Sequence, residues 1–178
     1  SRAEFTGGAI EPATAAFGQG FSLTPLKLVQ LHALVANGGR LVSPHITRGL
    51  RSGDALATEG RDQGVQLLDP KAARTVTDWM ETVVEKGTGK AMKIPGYRIG
   101  GKTGTAQKAH NGVYLPGARI TSFVAVLPVE DPRYVVLVVM DEPQGGNAYG
   151  STVALPVTRE IVEALLVLEK VPPSRPLE

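Results

Sequence analysis

The sequence predicts an α+β fold in which helices flank an antiparallel sheet. Three observations carry this. Strand-type runs occupy 97–108, 121–127 and 134–140. Val129-Glu130-Asp131-Pro132-Arg133 has turn chemistry and is short enough to join the last two runs as an antiparallel pair. Val135-Val136-Leu137-Val138-Val139 is apolar on both faces, which calls for helices or other layers on either side of the sheet and places 134–140 as a central strand.

The helices follow from caps and periodicity. Thr24 caps a helix opened by Pro25, and Leu28, Leu31, Leu34 and Val35 form its apolar face up to a stop at Gly38-Gly39. Residues 49–66 are polar and rich in Gly, Ser, Asp and Arg, the composition of loops or a loose hairpin. Asp69 caps a second helix opened by Pro70 and ended by Gly87. Its apolar face is Val76, Trp79, Met80, Val83 and Val84, with Trp79 in the core. A last helix, about 152–169, turns Ile161, Ala164, Leu165 and Leu168 inward, and Pro156 is tolerable only near its first turn. Residues 1–170 read as one continuous piece of a domain without internal repeats, and 171–178, rich in proline, as a tail.

Composition narrows the function. The 178 residues are 42% hydrophobic, enough for a core of ordinary single-domain size. Nineteen basic and 17 acidic residues leave a net charge of +2, too slight an excess to argue for nucleic acid. Without cysteine there is neither a disulfide framework nor a thiol nucleophile. No run reaches the roughly 18 apolar residues of a membrane span, and Ser1-Arg2-Ala3-Glu4 is no signal peptide, so any anchor or export signal is expected upstream.

The most informative segment is Lys102-Thr103-Gly104-Thr105. On an extended strand Thr103 and Thr105 share one face while Lys102 and Gly104 share the other, so two hydroxyls meet one ligand. Gly104 lacks a Cβ, so a second backbone can lie along the strand. A peptide ending in a carboxylate fits both features. A rival reading is the phosphate loop G-x-x-x-x-G-K-[ST], which Gly96 through Thr103 matches, with Asp141-Glu142 in the place of a magnesium-holding strand end. That loop must follow a buried strand and open a helix. Here Lys90-Ala91-Met92-Lys93-Ile94-Pro95 precedes it and Gly104-Thr105 follows, which argues against a nucleotide hydrolase.

Several segments in order resemble the C-terminal half of the transpeptidase domain of class B penicillin-binding proteins. They are Phe17-Gly18-Gln19-Gly20-Phe21-Ser22-Leu23-Thr24-Pro25-Leu26, then Gly87-Thr88-Gly89, then Gly101-Lys102-Thr103-Gly104-Thr105-Ala106-Gln107, and finally Asp141-Glu142-Pro143 with Tyr149-Gly150. The compact connection 108–120, with Asn111-Gly112-Val113-Tyr114, is similar to the division-type enzymes. The resemblance implies a β-lactamase/transpeptidase-like fold of which this chain is the C-terminal portion. It also implies that 134–140 pairs on its far side with upstream strands, leaving an orphan edge here.

The family's S-x-x-K and S-x-N motifs are absent: no serine lies three places before any lysine or two before any asparagine. The nucleophile is therefore expected on a segment outside this chain, which alone would be inactive. The resemblance implies that Lys102 supplies positive charge near that nucleophile. Thr103 and Thr105 would bond the terminal carboxylate of a D-alanyl-D-alanine stem peptide or of a β-lactam. Gly104 would admit the substrate backbone, and the Thr105 N–H would form half of an oxyanion hole. Gly89, Tyr149 and Gly150 are candidates for supporting that wall. The reaction implied is peptidoglycan cross-linking through a serine acyl-enzyme, without metal or organic cofactor. Implied partners are the missing N-terminal half of the domain and the proteins of cell division and cell-wall synthesis. The implied place is the periplasmic side of the bacterial inner membrane, anchored by an upstream helix. Alternatives are a related D,D-carboxypeptidase or β-lactamase, or a noncatalytic penicillin-binding module.

Other polar residues carry weaker signals. His32, His45 and His110 lack metal-ligand spacing. Asp141-Glu142 reads as a strand end before the loop Gln144-Gly145-Gly146-Asn147 rather than an acid–base pair, and Gly18 and Gly20 as a tight turn.

Overall fold

The computed structural model describes residues 8, 10–16, 18–47, 49–53, 55–57, 63–110 and 113–176. A short helix α1, Ile10–Ala15, leads through Gly18 and Gly20 to α2, Pro25–Ala36. Thr24 Oγ1 accepts from Lys27 N at 3.2 Å, satisfying one of the free amides at the start of α2. Four short strands follow: β1, Arg40–Leu41; β2, Leu50–Ser52; β3, Ala55–Ala57; and β4, Val65–Gln66. They pair antiparallel as β1 with β4 and β2 with β3, so hairpin pairing occurs within the stretch expected to be loops or a loose hairpin.

Helix α3, Pro70–Lys86, begins where the Asp69 carboxylate accepts from Lys71 N at 2.9 Å and Ala72 N at 3.0 Å. Its buried stripe is Ala73, Thr77, Met80 and Val84, and Trp79 is 66% exposed. Trp79 is thus not core. Gly100 and Gly101 decide this, because a Cβ on Gly101 would stand 2.6 Å from Phe123 Cζ and 3.0 Å from Val84 Cγ2, and one on Gly100 3.1 Å from Met80 Cβ. The side-chain-free notch draws Met80 and Val84 onto the sheet, and a neighbour one position away is rotated by about 100°.

The main sheet has the order β5–β6–β7, with β5 Gly100–His110, β6 Val113–Leu127 and β7 Tyr134–Asp141, all antiparallel. Among the described residues β6 is the central strand, and β7 lies at an edge rather than in the middle. The β5–β6 hairpin extends to Ala109↔Tyr114 and His110↔Val113. The connection at 108–120 is therefore mostly strand, its register shifting between Gln107 and Ala109 where the pairing absorbs extra residues of β6. Asn111 and Gly112 lie outside the described residues.

Both faces of the sheet are covered, as the apolar run in β7 requires. Val124 and Val126 of β6 and Val135 and Leu137 of β7 pack with Met80 and Ala36 under α2 and α3. On the other face Phe123, Ala125 and Leu127, with Val136 and Val138, meet α4, Leu155–Leu168. Each fully buried aliphatic or aromatic side chain here contributes about 1.5–3 kcal/mol relative to exposure. A π-helical turn, Gly150–Ala154, precedes α4. It inserts one more residue than an α turn, and the buried side of α4 becomes Leu155, Thr158, Val162 and Leu166. Ile161, Ala164 and Leu168 accordingly face outward instead of in.

The described residues of the proline-rich end dock on the domain. Val171 is buried, Tyr97 Oη donates to Val171 O at 3.2 Å, and Arg175 N donates to Gly96 O at 3.0 Å. Among the described residues no helix is long and apolar enough to cross a membrane.

Candidate functional site

Strand β5 pairs with β6 on one side only, so its other edge is open among the described residues. The register places Thr103 opposite Phe123 and Thr105 opposite Thr121, on the face of α4 and of Val84 at the end of α3, and Lys102 and Gly104 opposite Val124 and Ser122, on the face of α2 and Met80. The alternation read from the sequence holds. An open strand edge bearing two hydroxyls can take an extended peptide by strand addition.

Each threonine hydroxyl has a partner from a distant part of the chain. Thr103 Oγ1 lies 3.2 Å from Thr88 Oγ1, which stands on the turn after α3. Thr105 Oγ1 accepts from Gly150 N at 3.2 Å. Gly150 must be glycine for that bond to form, because a Cβ there would collide with Ser122 O and stand 2.7 Å from Gly104 O. The bare backbone of the π turn rests directly on β5 and β6. Gly104 is itself crowded, since a Cβ would run into Oγ of Ser122, its cross-strand partner on the same face.

Lys102 is exposed, and its Nζ donates to Thr103 O at 2.7 Å. His32 of α2 lies within reach of its charge. Burial is the main reason the His32 imidazole sits below its ordinary range; the Leu28 carbonyl at Nδ1 opposes this, and the Lys102 charge adds to the depression. Nothing in the sequence spacing of His32 signalled this placement within range of the Lys102 charge.

The other candidates fall away from the strand's chemistry. Lys108 Nζ bonds Asp141 Oδ1 at 3.0 Å and Glu142 Oε1 at 2.6 Å, tying the hairpin to the end of β7. Hydrogen bonds that the Lys108 ammonium donates to Glu142 and Asp141 hold it above its ordinary range. Those carboxylates are thus paired, as strand-end residues. Tyr149 lies under the guanidinium of Arg119, 5.1 Å from ring centroid to Cζ, at the entrance to the π turn. Gly89 is buried in the turn that carries Thr88, with its N donating to Val83 O at 3.1 Å. Among the described residues no group of three or more His, Asp or Glu could hold a metal.

The phosphate-loop reading fails on geometry. Gly100 through Thr103 lie inside β5, which runs on to His110, so no helix N-terminus follows the lysine to meet a phosphate.

This α+β architecture is that of solved penicillin-binding proteins. It matches the apo TP domain of Burkholderia pseudomallei penicillin-binding protein 3 with a TM-score of 0.78 and 35% identity, over 94% of this chain and 49% of that one. It also matches Mycobacterium tuberculosis penicillin-binding protein 3 complexed with aztreonam, with a TM-score of 0.79 and 29% identity, over 93% of this chain and 39% of that one. Residues 2–163 match the family model for the penicillin binding protein transpeptidase domain, and the chain belongs to that family, among its class B, division-type members.

Two curated relatives bear on its place in the family. A peptidoglycan D,D-transpeptidase FtsI homolog of Mesostigma viride is 43% identical over 97% of this chain and 31% of its own length. Stage V sporulation protein D of Bacillus subtilis is 38% identical over 87% of this chain and 24% of its own length. The chain thus spans about a third or less of these relatives.

Proposed function

We propose that this chain is the C-terminal part of a peptidoglycan D,D-transpeptidase domain, with residues 1–170 forming that part and 171–178 its tail. The observation that carries the reading is the open edge of β5, where Thr103 and Thr105 present hydroxyls on one face and Lys102 stands on the other. Relatives named as D,D-transpeptidases and a homologous fold solved with aztreonam support it.

In this reading Thr103 and Thr105 hold the terminal carboxylate of a D-alanyl-D-alanine stem peptide, or that of a β-lactam. Gly104 and the strand edge take the peptide backbone. A serine on a segment outside this sequence attacks the penultimate carbonyl. The Thr105 N–H stabilises the developing oxyanion, and Lys102 lends positive charge to the proton's path from serine to the leaving amine. The C–N bond breaks, D-alanine leaves with that proton, and an amine of a neighbouring strand then displaces the serine from the acyl ester. Gly89 and Gly150 support the two threonines through the turns they occupy, and Tyr149 frames the second turn. None of these roles requires a metal or organic cofactor.

The partners in this reading are the N-terminal half of the domain, which covers the free edge of β7, and the proteins of cell division and wall synthesis. The whole protein acts outside the cytoplasmic membrane, anchored by an upstream helix. The test is the Thr103→Val/Thr105→Val double variant of the complete catalytic domain. Valine keeps the β-branched shape and removes both hydroxyls, so acylation by a penicillin should slow by roughly two to four orders of magnitude, at about 1.5–3 kcal/mol for each lost bond to a charged group. A folded double variant acylated at the wild-type rate would overturn the proposal.

A further inference from the structure

We infer that Thr88 is a positioning residue that turns the Thr103 hydroxyl into a donor toward the ligand carboxylate. This rests on the reading of β5 as the carboxylate-binding strand. The argument is one of proton count. A threonine hydroxyl has one proton, and an ionised carboxylate can only accept. Thr103 can therefore serve a carboxylate only if it does not spend its proton on Thr88.

The two hydroxyl oxygens are 3.2 Å apart, and either could donate. A carboxylate at Thr103 resolves the choice, with Thr88 donating to Thr103 and Thr103 donating to the ligand. Such a chain strengthens each bond in it. Thr105 is already committed the same way, because the Gly150 N–H that meets its Oγ1 at 3.2 Å can only donate. Both hydroxyls then present protons outward from one face of β5. One is set by a backbone amide and the other by a side chain.

The local fold holds Thr88 in place for this. Gly87 N donates to Val83 O at 2.9 Å and Gly89 N to the same carbonyl at 3.1 Å, so both neighbours of Thr88 are pinned to the last turn of α3. A Cβ on Gly87 would stand 2.9 Å from that carbonyl, and one on Gly89 would be 3.3 Å from it. The two glycines let the chain fold tightly over the end of the helix, and Thr88 projects from it to β5. Thr88 is exposed and contributes nothing to the apolar core. Its hydroxyl is the feature with a partner.

The experiment uses the complete catalytic domain and two probes, a penicillin with its free carboxylate and the methyl ester of the same penicillin. The quantity read is the ratio of their acylation rate constants. Thr88→Val should lower that ratio roughly two- to tenfold, as expected for loss of one hydroxyl–hydroxyl hydrogen bond that orients the Thr103 proton toward the carboxylate. Thr88→Ser, which keeps the hydroxyl, should restore it. Thr88→Ala carries the same expectation as valine and is decisive if valine lowers the melting temperature. A purely structural role would slow both probes alike and leave the ratio unchanged, and that result would overturn the inference. Thr103→Val separates the two levels of the argument. If it leaves the ratio unchanged, the carboxylate reading of β5 itself fails; if it lowers the ratio while Thr88→Val and Thr88→Ala do not, only the role of Thr88 fails.

Discussion

Arg98 grips the Glu81 carboxylate with two hydrogen bonds, Nε to Oε1 at 2.8 Å and Nη2 to Oε2 at 2.5 Å, joining the approach to β5 to the middle of α3. Arg175 adds a third contact to Oε1 at 3.0 Å, which pins the C-terminal segment to the same carboxylate. The side chains of Glu81 and Arg98 are 12% and 25% exposed, so solvent screens the pair only partly. Such a two-bond fork is stronger and more directional than an ordinary surface pair.

This predicts an acid-labile contribution to stability. The Arg98 hydrogen bonds are the main cause holding the Glu81 carboxyl below its ordinary range; burial opposes them, and the Arg98 and Arg175 charges add to the lowering. A carboxyl whose folded pKa is depressed stabilises the fold fully above its unfolded pKa, and that contribution is lost as pH falls through the folded value. Wild type should exceed Glu81→Gln by about 2 kcal/mol at neutral pH, with the difference closing below the ordinary glutamate range. Urea unfolding of both proteins across pH 3–7, a range spanning roughly the glutamate titration, measures it. A gap independent of pH would show that the fork contributes by shape alone.

Met80 and Trp79 are neighbours with opposite environments, 7% and 66% exposed. Met80→Ala should cost about 2–5 kcal/mol by opening a cavity against Val124 and Val126, while Trp79→Ala should cost less than about 1 kcal/mol. Trp79 is the only tryptophan, so acrylamide quenching of the chain reports on it alone. Efficient quenching of the folded chain is expected, and a protected indole would contradict the orientation of α3.

Gly101→Ala tests the notch under α3. Its new methyl would lie 2.6 Å from Phe123 Cζ and 3.0 Å from Val84 Cγ2, both in the buried core. Overpacking of this kind costs about 1–3 kcal/mol. Denaturant titration should show the loss with an unchanged m-value, and a neutral effect would mean that α3 does not lie this close to β5.

The free edge of β7 gives a prediction about association. Residues 135–139 are half-buried and pair only with β6 within the described chain. Adding the upstream half of the domain should slow amide exchange along this stretch. Equal exchange with and without that half would show that β7 is not its docking edge.

The chain alone should form no covalent adduct with a labelled penicillin. It contains no S-x-x-K motif to activate a serine. Intact-mass spectrometry after incubation should show the unmodified chain. Stoichiometric labelling at one serine would place the nucleophile here and refute its assignment to another segment.

What the sequence by itself determined rests on short-range rules. Capping chemistry marked the helix starts at Thr24 and Asp69, because a side-chain oxygen can reach only amides two or three residues ahead. Strand alternation put Thr103 and Thr105 on one face, and the two-sided apolar run in β7 announced layers on both sides of the sheet. The tertiary structure alone decided the rotation of the helices. Either neighbouring apolar stripe could have faced inward on α3 or α4; the glycine notch at Gly100-Gly101 and the extra residue of the π turn selected the ones without Trp79 and Ile161. It also decided the partners of the two hydroxyls. Thr88 and Gly150 stand 15 and 45 residues from the threonines they meet, and only the packing of α3 and the π turn against β5 brings those atoms within 3.2 Å.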